Sequence, residues 1–151
     1  MMFMLDMRID KMLLQVLCHA TEDEEKVMKA VENVVRFDRM SKMKIVTQVL
    51  KGYYGDPLAM IRFEVLDPDT SLEIVKDIFS RLSEYERHDL IENCIEGGRH
   101  GGKLYIRLDK QAAYNGVLRL SDKDPIRIEV AVRGEVNKLV NMLNIHSKED
   151  I

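Results

Sequence analysis

The stretch from Lys103 to Leu120, KLYIRLDKQAAYNGVLRL, combines cationic, aromatic and amide side chains at close spacing. Its first part alternates apolar and polar residues, the period of a β-strand with one buried and one exposed face. A compact polar connection follows, and the pattern then predicts a second short strand over 117–120. The polar side chains that this arrangement places close together are Tyr105, Arg107, Lys110, Gln111, Tyr114 and Arg119. Cations bind phosphates, aromatic rings stack on bases and amides bond to base edges, so this set suits a nucleic acid.

Two interpretations of these side chains stay open, because polar residues also simply solvate the exposed face of an antiparallel sheet. Arg107 and Lys110, at the end of the predicted strand, would either clamp phosphates or keep the sheet edge soluble. Gln111 would read a base edge or cap the turn, and Tyr114 would stack on a base or pack beside its alanine neighbours. The further predicted contacts are Lys44, Lys51, Arg119 and Arg127 for phosphates, and Tyr53 and Tyr54 in a glycine-bounded loop for bases.

Length and composition indicate one globular domain. The 151 residues are 46% hydrophobic and 32% charged, enough to bury a core without disulfides or metal. Cys18 and Cys94 lie in apolar patterns, which predicts two buried, reduced thiols and a cytoplasmic protein. No segment has the length of a membrane span or the form of a signal peptide. We expect a single domain over 8–144, with flexible termini at 1–7 and 145–151.

The net charge of −3 argues at first against a nucleic-acid partner, but the charges are unevenly distributed. Residues 101–133 contain seven Lys and Arg against four Asp and Glu, whereas residues 64–96 contain three against ten. An acidic protein with this asymmetry can keep one positive face, and that face sets the local field. The alternative is that the surfaces of sheet and helices merely differ in charge.

The hydrophobic patterns predict an α+β fold. Capping boxes at Thr21–Glu24, Thr70–Glu73 and Ser83–Glu86 predict three helix starts, the third helix ending at Gly97. Strands are predicted over 10–19, 43–50, 58–66, 103–108, 117–120 and 126–132, and a final short helix over 136–143. This order favours a mainly antiparallel sheet with helices packed on one face, which leaves the other face mixed polar and exposed.

The sequence shows few features of an enzyme or of a metal-binding protein. His19, Asp109, Lys110 and Tyr114 are of the types used in acid–base catalysis, but no spacing brings them together. There is no nucleophile or P-loop motif, and GGRHGG follows a predicted helix, the reverse of a dinucleotide-binding turn. The four histidines are scattered along the chain. We therefore expect no catalytic residue, no bound metal and no cofactor.

Three segments together identify a resemblance: HATEDEEKV from His19 to Val27, GYYGDP from Gly52 to Pro57, and LYIRLDKQAAYNGVLRL from Leu104 to Leu120. In this order they resemble an archaeal RNA-binding family described as exosome-subunit-like. The resemblance implies a fold similar to the large-subunit ribosomal protein that binds the small ribosomal RNA of that subunit. It also implies RNA binding close to RNA processing, with exosome- or ribosome-related proteins as partners.

These observations predict a non-catalytic RNA-binding protein that captures RNA by Lys and Arg contacts and Tyr stacking. Single-stranded or loop RNA is favoured over duplex, because stacking needs accessible base faces. A protein-interaction module that uses the acidic segment 64–96 is the first alternative, and a small hydrolytic enzyme is the second. Salt-sensitive RNA binding distinguishes the first interpretation from both.

Overall fold

The computed structural model describes the backbone of residues 7–52 and 55–149, with side chains up to residue 143. The strands are β1 (Met7–His19), β2 (Lys44–Lys51), β3 (Pro57–Val65), β4 (Ile95–Gly98), β5 (Gly101–Leu108) and β6 (Ile126–Gly134). The helices are α1 (Glu24–Val35), α2 (Pro68–Arg81), α3 (Glu84–Asn93), α4 (Lys110–Tyr114) and α5 (Val136–Glu149), with a 3₁₀ turn over Phe37–Lys42. The strands form one antiparallel sheet in the order β2-β3-β1-β6-β5-β4.

The helices cover one face of this sheet except at the edge strand β2, which is exposed on both faces, and they leave the other face open. Along β1, the residues that turn toward the helices, such as Leu14 and Val16, are fully or almost fully buried, whereas Gln15 between them is only half-buried. Phe63 and Ile106 are buried on the same side of β3 and β5. The α+β fold, with its exposed mixed-polar sheet face, is as the sequence predicts. Among the described helices, none is both long and apolar enough to span a membrane.

The starts of two helices differ from the predicted capping boxes. Helix α1 is capped by Asp23, whose carboxylate accepts from the amide of Glu25 at 2.9 Å, not by Thr21. Helix α2 begins at Pro68, with Asp67 as its cap, one turn before the predicted start. Aspartate caps a helix at least as well as threonine, and proline is favoured at the first helical position. The nearby aspartates therefore replace the predicted threonines as the capping residues. At α3 the predicted capping box of Ser83 and Glu86 is confirmed.

The predicted continuation of α3 to Gly97 is wrong. The helix ends at Asn93, and residues 95–98 form β4, which pairs with β5 in a glycine-rich hairpin. A Cβ atom on Gly97 would lie 2.3 Å from the carbonyl oxygen of Gly101, so the two strands approach this closely only without side chains. GGRHGG is therefore the tip of a hairpin instead of a loop that leads out of a helix.

The segment after β5 also differs from the prediction. Residues 110–114 form the short helix α4, capped by Asp109, whose carboxylate accepts from the amide of Ala112 at 3.1 Å. The strand predicted over 117–120 is not present: only one isolated bridge joins Leu108 to Leu120. Buried Ala112 and Ala113 explain the difference, because small side chains let this turn pack closely against α1.

Candidate nucleic-acid interface

A row of polar side chains crosses the open face of the sheet from β3 to β5. Strand pairing places Gln15 of β1 opposite Arg62 on one side and Arg127 on the other, and it places Arg127 opposite Arg107. All four residues belong to the alternation that points away from the helices. We call Arg62, Gln15, Arg127 and Arg107 the arginine row. Three cations, with Gln15 between Arg62 and Arg127, thus line one path across four neighbouring strands.

The arginine row is poorly neutralised by the protein itself. Arg107 and Arg127 are direct cross-strand neighbours, an arrangement in which like charges repel. No acidic group among the described residues lies within ion-pair distance of Arg62 or Arg127, and the nearest carboxylate to Arg107 is Asp122, at 4.0 Å. The Nε atom of Arg62 is buried and has no hydrogen-bond partner there. Uncompensated guanidinium groups of this kind suit a bound anion.

The neighbouring row of side chains on the same face contains carboxylates, and these are paired with side chains of that row. The Lys103 ammonium bonds to the Glu129 carboxylate at 2.8 Å, which raises the pKa of Lys103. The Tyr105 hydroxyl donates to the Glu96 carboxylate at 3.3 Å, and desolvation together with that carboxylate raises the pKa of Tyr105. Between this row and the arginine row lies a shallow groove of about 220 Å³, lined by Gln15 and Tyr105 among others. An aromatic ring therefore lies beside the row of cations.

Lys110 does not lie on this face. Its ammonium is buried at the end of the sheet, where it donates to the Leu17 carbonyl at 2.7 Å, to Glu22 at 3.0 Å and to Asp124 at 2.8 Å. Only 11% of its side chain is exposed. The ammonium holds the β1–α1 corner to the start of β6, so the structure gives Lys110 a positioning contact. Its predicted contact with phosphate stays a prediction.

The same corner brings together groups that the sequence keeps far apart. The imidazole of His19 lies 3.2 Å from Asp124, and ligand atoms of His19, Glu22 and Asp124 all lie within 4.8 Å of one another. This spacing resembles that of a metal site, but the Lys110 ammonium bonds to both carboxylates and supplies the positive charge. Asp124 adopts the left-handed backbone conformation, with φ of 43°, which aspartate tolerates better than most residues, and its carboxylate contacts both Lys110 and His19.

Gln111 and Tyr114 lie on the helical side of the molecule. Both line a groove of about 220 Å³ between α4 and α1, and the ammonium of Lys26 lies 5.8 Å from the centre of the Tyr114 ring. They are therefore separated from Arg107, although the sequence places all three in one cluster. The single cluster of polar side chains predicted for residues 105–119 is split between the open face and the helical side, because α4 turns the chain back toward α1.

The remaining predicted contacts are peripheral. Lys44 lies on the open face of β2, two strands from β1, and Lys51 points to the helical side at the end of the same strand. Arg119 is exposed in the segment that follows α4. Tyr53 and Tyr54 lie outside the described residues. Of the predicted residues, Arg107 and Arg127 are brought together directly.

Sequence reasoning does not select Arg62 or Gln15 as site residues. Alternation assigns each to an outward position, but only strand pairing shows that they lie in line with Arg127. The signal available in the sequence is a single arginine within an otherwise apolar strand, LAMIRFEV, which by itself does not indicate a partner. Cys18 is buried as predicted, whereas Cys94 is only partly buried.

Comparison with known proteins identifies relatives over most of the chain. The model of a protein family described as RNA binding matches residues 11–132. The RNA-binding protein PAB1135 of Pyrococcus abyssi is 31% identical over 118 residues, which cover 76% of each chain. The uncharacterized protein MJ0213 of Methanocaldococcus jannaschii is 30% identical over 121 residues, 78% of this chain and 80% of its own. The family match begins within β1, contains β2 to β5 and ends within β6.

A solved structure has the same fold. The crystal structure of protein SSO0741 from Sulfolobus solfataricus superposes with a TM-score of 0.75, over 93% of this chain and 99% of that chain. The two sequences are 21% identical, so this similarity establishes the fold alone.

Proposed function

Because the chain belongs to this RNA-binding family, we propose that it binds RNA on the open face of its sheet, by means of the arginine row, and catalyses no reaction. The main supporting observation is the direct pairing of Arg107 with Arg127, without a carboxylate among the described residues close enough to neutralise Arg127. Two cations that face each other repel and so lower the stability of the free protein. A phosphate bound between them would be attracted by both.

The chemistry around the row favours an unpaired strand. Arg62 lies two strands from Arg127, and Arg107 lies one strand beyond it, so at about 4.8 Å per strand the row spans about 14 Å, a length that suits two or three phosphates of an extended backbone. Tyr105 offers a ring beside the row, and the half-buried Leu17 and Met60 give apolar contact on its other side. Bases that are free to stack are available in single strands and loops but not in a duplex.

The other predicted contacts form an outer ring in this proposal. Lys44 extends the path toward β2, while Lys51, Arg119, Tyr53 and Tyr54 would contact RNA that continues around the sheet. Gln111 and Tyr114 would bind only RNA that passes to the helical side, and Lys110 acts by positioning Asp124. The domain over 8–144 is the binding unit.

The resemblance to exosome-subunit-like and ribosomal proteins extends this proposal to a cytoplasmic role in RNA processing or degradation. Association with such a complex would let a weak, non-sequence-specific contact act at high local concentration. The proposal requires only that the open face stays accessible.

The test is a fluorescence-polarisation titration with a short unstructured RNA at two salt concentrations, with DNA of the same sequence alongside. We expect salt-sensitive binding that is lost in the triple variant Arg62→Gln, Arg127→Gln, Arg107→Gln. Binding that persists in a folded triple variant would place the interface elsewhere. No binding at low salt, where electrostatic capture is strongest, would refute the proposal and favour the protein-interaction module.

A further inference from the structure

Strand β2 lies at the edge of the sheet with both faces and one edge exposed. It pairs with β3 on one side, and no described residue of the chain pairs with its other side. All residues from Lys44 to Lys51 are exposed except Leu50, which is half-buried. Val49 is 75% exposed on the helical side, and Ile45 and Val46, on opposite faces, are exposed as well. A free edge with apolar side chains on both faces is a site for pairing with a further strand.

The free edge of β2 presents backbone donors and acceptors along its whole length. The Gly52 amide donates to the Asp56 carbonyl at 2.7 Å, which makes these two residues a hydrogen-bonded pair at the end of the β2–β3 hairpin. Bonded and non-bonded pairs alternate along an antiparallel ladder, so the even-numbered residues of β2 bond to β3. The residues whose amide and carbonyl point to the free edge are Ile45, Thr47, Val49 and Lys51.

The middle of β2 lacks the features that protect an edge strand from pairing. The six residues from Ile45 to Leu50, IVTQVL, include no charge, no proline and no glycine. The register with β3 runs without a bulge from Lys44 to Lys51, and these two lysines stand only at the ends of the strand. Protected edges carry such a charge, proline or bulge within the strand. An uncharged edge rich in β-branched residues suits another strand as its partner.

The backbone of β2 is complementary to a second copy of itself. In an antiparallel pair related by a two-fold axis perpendicular to the sheet, outward residues must meet outward residues. With Gln48 on the axis, Ile45 lies opposite Lys51 of the second copy. Thr47 then lies opposite Val49 of that copy. In this register every outward amide and carbonyl of both strands is bonded.

The side chains of β2 also match in this register. Val46 lies opposite Leu50 of the second copy on the open face, so an apolar side chain meets an apolar one. Lys44 lies opposite Gly52, and Lys51 lies opposite an isoleucine, so that no lysine faces a lysine. Like charges directly opposite each other would destabilise the pair, and this register avoids them.

We propose that two copies of this chain associate by pairing β2 with β2, which joins two six-stranded sheets into one continuous antiparallel sheet. Each copy contributes one strand, so the interface is smaller than that of a permanent dimer. The dimer therefore dissociates with a Kd in the micromolar range, about 1–100 µM.

Sedimentation velocity over a concentration series measures this association. The 17.5 kDa chain should sediment as a monomer well below the Kd and at twice that mass well above it. Thr47→Pro removes an outward amide without removing a bond to β3, and Val49→Lys places a charge in the middle of the edge. Each variant should weaken association at least about tenfold. The matched control is Val117→Lys, at a valine that is 50% exposed and lies outside the sheet.

Circular dichroism verifies that each variant is folded, and the control should associate as the wild type does. A chain that stays monomeric at every concentration would overturn the proposal. A dimer that is equally stable in the folded Thr47→Pro and Val49→Lys variants would overturn it too, because the interface would then lie elsewhere.

Disulfide crosslinking tests the register. Gln48→Cys, in a Cys94→Ser background that removes the partly buried native thiol, places two cysteines on the axis in a non-bonded pair. The Cα atoms of such a pair lie about 4.5 Å apart, within disulfide range, so mild oxidation should give a covalent dimer. Lys44→Cys in the same background is the control, because its two copies would be roughly 27 Å apart. No crosslink at position 48, or equal crosslinking at position 44, would overturn this arrangement.

Pairing through β2 also places two open faces on one surface, since the axis is perpendicular to the sheet. On the basis of the proposed function, an RNA that reaches both arginine rows should bind at least about tenfold more tightly than one that reaches a single row. Thr47→Pro should remove this advantage and leave the affinity for short RNA unchanged. Sedimentation without RNA tests the dimer alone: a dimer that binds no RNA would refute the proposed function only, and a strict monomer that binds RNA would refute the dimer only.

Discussion

The substitution Arg127→Gln should change stability and RNA binding in opposite directions. Glutamine keeps part of the aliphatic stem over the sheet and removes only the charge, so packing changes little. In the free protein the substitution ends the repulsion between Arg127 and Arg107, which lie directly opposite each other. A like-charged cross-strand pair costs about 0.2–1 kcal/mol, so the variant should be more stable by this amount and melt roughly 1–3 °C higher.

The same substitution should weaken RNA binding. Each phosphate contact to a single strand contributes about 0.7 to the slope of log K against log salt, so losing one contact lowers the slope by that amount. A fourfold rise in salt would then weaken wild-type binding by about 2.6-fold more than it weakens binding by the variant. Thermal unfolding at low ionic strength and polarisation titrations across a salt series measure the two effects.

Lys29→Gln is the matched control for this experiment. Lys29 lies on α1, on the helical side, with 57% of its side chain exposed and Glu32 at 3.7 Å. The variant changes net charge by the same amount and should leave the salt slope unaltered. If Arg127→Gln destabilises the protein, the repulsion argument is wrong; if its slope equals that of Lys29→Gln, Arg127 does not contact phosphate.

Three further predictions concern the surroundings of the site. Lys110→Ala leaves Asp124 and its neighbouring carboxylate without their cation and should lower the free energy of unfolding by about 1–3 kcal/mol in urea titrations. An unchanged salt slope in this variant would confirm a positioning role, whereas a reduced slope would show direct phosphate contact. Ile106→Ala empties a fully buried position behind the binding face and should cost about 2–5 kcal/mol, with binding by the folded fraction preserved; a smaller loss would argue against the described packing. Burial opposes ionisation of Glu86, but hydrogen bonds from the Leu120 amide and the helix cap outweigh it and lower the pKa of Glu86. A lowered pKa adds stability above the unfolded-state value of about 4.3 and loses it as pH falls through the folded-state value, so Glu86→Gln should cost about 1 kcal/mol at neutral pH and nothing in strong acid. A pH-independent difference between variant and wild type would contradict that assignment.

Local sequence patterns were sufficient to predict an element wherever the interactions that form it lie within a few residues of one another. Period-two alternation identified β1, β2, β3, β5 and β6 and the outward position of Arg107 and Arg127. The capping box at Ser83 was confirmed because its two hydrogen bonds close within four residues. The starts of α1 and α2 differ from the predicted ones because neighbouring aspartates are equally good caps. Which of two such caps is used depends on the contacts of the surrounding residues.

Long-range contacts decided the rest. β4 is a strand and not the end of α3, because pairing with Gly102 and Lys103 outweighs local helical preference. Lys110 is enclosed by Leu17 and Asp124, which come from distant parts of the chain, and no sequence spacing encodes that meeting.

The sequence by itself determined the α+β class, the open polar face and the residue types on it, because these follow from side-chain period and composition. Only the tertiary structure decided that Arg62, Arg127 and Arg107 share one row, and that Gln111 and Tyr114 do not join them. The physical reason is that strand order and register are fixed by burial of the whole core. A shift of one residue in either strand pairing would send these arginines to the opposite face.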